Sequence, residues 1–521
     1  VSPAKADRRQ RPERIGVSPL WLDAAPLQRF PRLERDLRVE IVVAGAGITG
    51  LTTAYLLASA GHSVAVFDRA RAAERDTGHT SAHLTMVTDR PLAGLVRSLG
   101  RERARAAWDA GLTAIERVEA IVRDEDLACD FTWVPGYLHA VDGDAGQNDG
   151  RRPFQAEADL AADLGFDASF VDDMPLFGGP GVMFERQARI HVRRYLAGLA
   201  RAIVDRGGQI FEHSEVESAS ATPRSVRVNG KTASCDRLVI ATHVPIVGIG
   251  SKSDAARLQS KLAPYTTYVV AGRLGKGEVP DALFWDTAQP YHYCRILPQL
   301  GHDVVIFGGE DHRTGQVSRT VDCFNRLEKT ISGLVPGLAV THRWSGQVLE
   351  TPDGLPYIGE TAANQFTATG FSGNGLTFGT LSAMRASDWV GGRRNEWGEL
   401  FDPRRGVTGS SAWVYLKENA DYPIYRVRDW LRDADKTVES VPAGEGRVLD
   451  YHGQNAAVVR ADDGSITVRS AECTHMGCLV AWNDAEHTWD CPCHGSRFDA
   501  SGAVIAGPAG APLAKLDRSS E

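Results

Sequence analysis

Two short runs near the C-terminal end, CTHMGC (473–478) and CPCHGSRF (491–498), constrain this chain more than any other feature of its 521 residues. Each places one thiol and one imidazole close together: Cys473 with His475, then Cys491 with His494. Twelve residues separate the two runs. Paired thiolate and imidazole ligands suit zinc or iron–sulfur chemistry. A closed zinc site or a structural disulfide pair would draw on the same residue types, so spacing has to decide.

The spacing C-x-H-x-G-C … C-x-C-H-x-S resembles the Rieske family in full, and Ser496 matches a Rieske loop better than a zinc ribbon. The resemblance implies a 2Fe–2S cluster held by Cys473, His475, Cys491 and His494, with two His replacing two Cys on one iron and raising the potential. It also implies a disulfide between Cys478 and Cys493 that ties the cluster loops together. His475 and His494 would lie toward the surface as points of electron entry or exit. Ser496 would donate to a cluster sulfur, and Gly507-Pro508-Ala509 resembles the proline loop that covers the cluster. Quinol-oxidising relatives carry a Tyr donor where this chain has Phe498, which implies a lower potential here.

The front of the chain binds a dinucleotide. VEIVVAGAGITGLTTAYLLASAGHSVAVFDR (39–69) reads as strand, glycine turn, helix and strand. Ile41–Ala44 is an apolar run suited to a buried parallel strand. Gly45, Gly47 and Gly50 form G-x-G-x-x-G: a tight turn, close approach of a pyrophosphate, and close helix–strand packing. Leu51–Ala60 supplies a helix whose N-terminus faces the phosphates. Val64–Phe67 is the second strand and ends in Asp68, placed to bond ribose hydroxyls. This motif alone leaves FAD and NAD open.

Later segments point to the flavin. RLVIATHVPIVG (237–248) reads as a buried strand closed by Ala241-Thr242, and FTATGFSGNGLTFGTLSAM (366–384) as a strand with a second glycine-rich helix start. With GHTSAHLT (78–85), DGLPYIG (353–359) and GGEDHRTG (308–315), the series over about 38–400 resembles the glycine/D-amino-acid oxidase-like (DAO) FAD oxidoreductases. Together with the cluster motif, the chain is similar to bacterial FAD oxidoreductases that carry a C-terminal Rieske domain. The resemblance implies an FAD site formed by Gly45, Ala46, Gly47, Gly50, Asp68, Arg69, Thr80, Ser81, Val216, Ala241, Thr242, Gly373, Gly375, Leu376 and Thr377. The helix start at Gly373–Thr377 would face the flavin N1/C2=O edge. His79 is a candidate for covalent attachment, with non-covalent FAD the favoured reading.

The expected architecture is an α/β Rossmann-like FAD-binding domain with an α+β substrate domain, followed by a small all-β Rieske domain. Residues 1–37 form an N-terminal extension, and 38–400 the DAO-like unit. Its FAD-binding parts lie near 38–90, 185–250 and 352–395; the substrate domain, with an antiparallel sheet, takes 91–184 and 255–350. A linker with an amphipathic helix (413–431) fills 401–435, and the Rieske domain 436–521. At this length more than one core is expected. A formal charge of −8 argues against nucleic acid as a main partner. No run approaches the roughly 20 apolar residues of a membrane helix. The basic N-terminus (Lys5, Arg8, Arg9, Arg11, Arg14) lacks an apolar stretch after it, and four of eight Cys are scattered; both fit a cytoplasmic protein.

Flavin takes two electrons from a C–H bond and a Rieske cluster carries one, so the pair implies a dehydrogenase that converts two-electron to one-electron transfer. The substrate would be a small amine or amino acid, and the acceptor an external one-electron carrier or quinone. Amino-acid oxidases of this family use an Arg in W-x-G-x-R-P to hold the substrate carboxylate; here WSGQV puts Val348 at that place. Arg295, beside Tyr293 in YHYCRIL, is the candidate replacement if its strand faces the flavin. The same residues would serve a reductase running the chain backwards, or an oxidase using O2. A Rieske oxygenase is not expected, because only 27 residues follow His494 here and none is His.

Overall fold

The computed structural model describes residues 15, 18–140, 150–221, 224–245, 258–406 and 437–516. The expected helix over 413–431 lies outside the described residues, as does the basic run at the N-terminus. The nearby helix Leu20–Ala24 is integrated into the fold: Trp21 is fully buried and its indole N–H donates to Thr80 O at 2.7 Å.

A six-stranded sheet carries the nucleotide turn. Its order is Tyr357–Ala362, Gln365–Thr369, Arg237–Ile240, Ile41–Ala44, Val64–Phe67 and Gln209–Phe211. All neighbours are parallel except the first pair. Every residue of Ile41–Ala44 and Val64–Phe67 is buried, as apolar runs covered on both faces require. Val43 and Val66 pack toward the helices Ile48–Ser59, Val192–Asp205 and Gly375–Val390. Val42, Ala65 and Phe67 face the other way, onto Val226 and Val228 of a four-stranded side sheet.

The second large sheet begins Ala339–Glu350, Ala263–Leu274, Asp303–Arg313, Tyr293–Pro298, Leu283–Asp286, Thr132–His139 and Gly181–Arg189. The sequence leads one to expect it wholly antiparallel. One pair departs from that: Leu283–Asp286 runs parallel to Thr132–His139, because the chain reaches this strand by a long crossover rather than a hairpin.

The C-terminal part is two small antiparallel sheets, Gly446–Tyr451/Gln454–Arg460/Ile466–Ser470 and Ala481–Asn483/Thr488–Asp490/Arg497–Asp499/Val504–Ala506. Cys473, Cys491 and the Cys478–Cys493 pair pack with Trp489 and Phe498 in its core. It docks on both other parts of the chain: Thr320 Oγ1, at the start of the helix Val321–Leu334, lies 2.6 Å from Asn483 Oδ1 and from Asp484 Oδ1, and Arg69, after the strand Val64–Phe67, donates to Gly507 O at 3.0 Å. No helix among the described residues is long and apolar enough to cross a membrane.

Candidate functional site

The glycine turn is built by close approach. Gly45 sits at φ +102°, and a Cβ there would lie 2.4 Å from Ala241 O. A Cβ on Gly50 would lie 1.8 Å from Gly45 O, so the helix can rest on its own turn only through glycine. At Gly47 the obstacle is milder, the hydroxyl of Thr77 at 2.9 Å. Asp68 braces the turn: its carboxylate accepts from Ala46 N at 2.7 Å and Ala70 N at 2.8 Å. Each oxygen keeps acceptor capacity, and the side chain still borders the cavity.

That cavity, of about 400 Å³, runs from the glycine turn to the substrate-side sheet. Of the expected FAD residues, Gly45, Gly47, Asp68, Arg69, Thr80, Ser81, Val216, Ala241, Thr242, Gly373, Gly375 and Leu376 line it. Ala46, Gly50 and Thr377 stand behind the wall; the Thr377 hydroxyl donates to Thr85 O at 2.9 Å. His79 also lines it. Its Nδ1 is 2.8 Å from Ser345 O, and since a carbonyl only accepts, that nitrogen carries the proton. An elongated cavity, a helix N-terminus and a backbone cradle closed to any Cβ fit a flavin dinucleotide.

At the far end Tyr293 lines the cavity, with room for its ring provided by Gly308 across the strand pair. Its hydroxyl lies 2.8 Å from Thr267 Oγ1. Arg295 does not reach the cavity, and the expectation that it binds substrate is corrected here. It is fully buried, donates to Ala82 O and, at 3.2 Å, to Ile190 O, and lies over the Trp21 ring at 5.5 Å. Burial, then the charge of Arg189, pushes its pKa down to about 9. Arg295 lies on the same strand face as Tyr293, but two residues further along that face lies behind the cavity wall. Burial, followed by the charge of Arg295, also lowers the neighbouring His83 to about 3.

Sequence reasoning missed the acidic groups at this end. Asp89 stands open on the cavity wall, against the turn at Gly373, where a Cβ would lie 2.6 Å from its carboxylate. Asp311 also lines the cavity, and burial pushes its carboxyl up to about 7. Positions 89 and 311 are far apart in the chain, and no local pattern links them.

The cluster motif folds into one compact constellation. Cys478 and Cys493 are disulfide-bonded, with Cα atoms 6.4 Å apart, and so staple the two loops. Cys473 and Cys491 remain as buried free thiols that hydrogen-bond each other, a contact that draws Cys473 down to about 6. Cys491 lies within 4.8 Å of both disulfide sulfurs, but those are spent on each other. The His475 and His494 rings are 4.8 Å apart, and His475 Nδ1 is buried without a hydrogen-bond partner. Such an orphaned nitrogen beside two thiols fits a ligand to iron. The Ser496 hydroxyl accepts from Ala509 N at 3.1 Å and bonds the Cys473 sulfur. Gly507, at φ +85°, lies so close to Ser496 that a Cβ would come within 2.5 Å of its Cα. The Gly507-Pro508-Ala509 loop is thereby pressed onto the cluster loop.

The two sites share a wall. Gln347 lines the cavity, and its side-chain N–H donates to Gly495 O at 2.9 Å, next to His494. Ile505, Ala506 and Gly507 also border the cavity. Behind this contact Arg497 pairs with Glu486 and, at 3.1 Å, with Asp490. Burial alone would raise Glu486, but Arg497, Ser345 and His79 hold it below the usual range.

Fold and site together define a flavin oxidoreductase joined to an iron–sulfur module. Residues 40–389 match the family model "FAD dependent oxidoreductase" (DAO) and residues 433–517 the "Rieske [2Fe-2S] domain". The chain belongs to the DAO family of FAD-dependent oxidoreductases and carries a C-terminal Rieske domain. It is 30% identical over 504 residues to YhfW of Bacillus subtilis strain 168, named for a Rieske 2Fe-2S centre, covering 95% of this chain and 97% of that one. Among solved structures, L-proline dehydrogenase from P. horikoshii is similar with a TM-score of 0.57 and 17% identity, covering 71% of this chain and 98% of that one. Glycine oxidase from Geobacillus kaustophilus gives 0.55 at 18% identity, over 71% and 100%. At these identities the structures establish the fold.

Proposed function

We propose that this protein is a dehydrogenase that oxidises an amine or amino-acid-type substrate at its carbon–nitrogen bond. It delivers the electrons singly to an external one-electron carrier or quinone. When bound, FAD supplies acceptance of a hydride equivalent, and the Rieske cluster supplies one-electron steps. Overall, the substrate loses two electrons and two protons to become an imine, and two equivalents of the acceptor each gain one electron.

The chain's own residues divide this work. Gly45, Gly47 and the start of the helix Ile48–Ser59 would hold the pyrophosphate. Gly373, Gly375 and Leu376 would face the flavin ring, with Asp89 and Tyr293 bordering the substrate space beside it. Cys473, His475, Cys491 and His494 would hold the cluster. The observation that carries the reading is the shared wall: Gln347 borders the cavity and bonds the loop that bears His494. A simple oxidase, whose reduced flavin reacts directly with O2, needs no such junction.

His475→Ala, with iron lost and flavin retained, tests the electron order. Substrate should still bleach its flavin once under anaerobic conditions, while sustained turnover with a one-electron acceptor collapses. Unchanged turnover with every acceptor tried would refute the role of the cluster.

A further inference from the structure

The two ends of the cavity differ in the side chains they present. All Arg side chains among its described lining residues, Arg69, Arg71 and Arg75, flank the glycine turn, and no Lys lines it. Arg69 follows the bracing Asp68, Arg71 pairs with Glu74 at 2.7 Å, and Arg75 precedes the Asp76–His79 turn whose Thr77 hydroxyl accepts from Ile48 N. These cations belong to the dinucleotide end.

The substrate end has no cation of this kind. Val348 lines the wall where an amino-acid oxidase would place its carboxylate-binding Arg, and Arg295 is sealed behind it. What faces the space instead is acidic and aromatic. Asp286 is already engaged by His292 Nδ1 at 2.9 Å and by two backbone N–H groups. Asp89 has only a long contact, 3.5 Å, from the Tyr291 hydroxyl. The Asp311 carboxyl is bonded by Thr267, but its Oδ1 is buried without a hydrogen-bond partner. A buried carboxylate oxygen left open costs stability unless a ligand satisfies it. The rings of Tyr291 and Tyr293, with centroids 5.8 Å apart, stand beside these two carboxyls, and both line the cavity. Carboxylates backed by phenol rings make a receptor for an organic cation. A substrate carboxylate would instead meet like charge.

Resting on the amine-oxidation reading above, we propose that the substrate end selects an amine that lacks a carboxylate and carries a second positive centre, held by Asp89 and Asp311. The two acids stand on separate elements and can engage two points of one ligand. The reacting nitrogen then sits at the flavin, and the second centre fixes the chain that leads away from it.

The test uses the full-length holoenzyme and four probes: 1,4-diaminobutane, 1-aminobutane, glycine and L-proline. Binding is read from perturbation of the flavin absorbance, and reaction from anaerobic bleaching. The diamine should bind about tenfold or more tightly than the monoamine, and more tightly still than either amino acid, with an affinity that falls steeply as salt rises. Asp89→Asn and Asp311→Asn, checked for full flavin and iron content, should each lose about tenfold in diamine affinity, a larger loss than the monoamine shows. Should either variant misfold, the salt response of the wild-type protein decides, and a flat response overturns the proposal. Bleaching by glycine or L-proline in preference to the diamine also overturns it, while leaving amine oxidation in place. If none of the four bleaches a flavin that dithionite does bleach, amine oxidation itself fails, and this proposal with it.

Discussion

The dinucleotide turn and the cluster loops hold their cofactors by contrasting means. The turn works through what is absent: glycine leaves space at Gly45 and Gly50 for backbone to meet backbone. The cluster loops work through what is present: the proposed donors Cys473, His475, Cys491 and His494 sit on loops pinned by a disulfide and capped by the loop at Gly507. A site made of empty space fails when an atom is added. A site made of donors fails when one is exchanged.

Gly50→Ala should have the largest effect. Its methyl would collide with Gly45 O, so the helix must lift off the strand, and overpacking of this kind costs about 1–3 kcal/mol or more. Purified protein should keep its Rieske EPR signal and lose most of its flavin. Gly47→Ala meets only the Thr77 hydroxyl and should retain more flavin than Gly50→Ala; the reverse ranking would break the account of the turn.

Cys473→Ser and Cys478→Ser divide the second site. The first should lose the cluster and keep the flavin spectrum. The second should keep iron but lower stability by about 2–4 kcal/mol, the usual worth of such a cross-link, measurable by denaturant unfolding. Equal iron loss in both would mean that ligand and staple are not separate roles.

Gln347→Leu should have the smallest effect. It removes one hydrogen bond, worth about 0.5–1.5 kcal/mol, between the cavity wall and Gly495. Stopped-flow mixing should find substrate bleaching of the flavin unchanged and reduction of the cluster slowed a few-fold. Slowed bleaching would place Gln347 in the substrate step instead.

The glycine-turn and cluster motifs were legible because the residues of each lie close together in the chain. G-x-G-x-x-G and the two Cys/His loops each encode a local backbone path, and local geometry imposes a local pattern. The strands Ile41–Ala44 and Val64–Phe67 fall where their apolar runs end. The substrate end was not legible: Tyr291 and Asp311 meet through the sheet register that sets Tyr293 against Gly308, and Asp89 joins them from the loop after His83–Leu84. Arg295 illustrates the limit, since period-two alternation gives the face of a residue but not how far along that face the cavity extends. Trp21 illustrates another: a segment before the first motif carries no pattern that announces its burial against Thr80 and Arg295.

The placement of Ile505–Gly507 on the cavity wall has a thermodynamic consequence. A flavin that fills this cavity touches both parts of the chain, so it binds the docked arrangement better than a separated one. Coupling of this sort is reciprocal: whatever steadies the Rieske domain tightens flavin binding, and flavin in turn steadies the Rieske domain. Loss of iron should therefore register at a distance, as a lower melting temperature of the flavin part even where the flavin stays bound. The two cofactor sites are thereby joined as partners in one folding equilibrium.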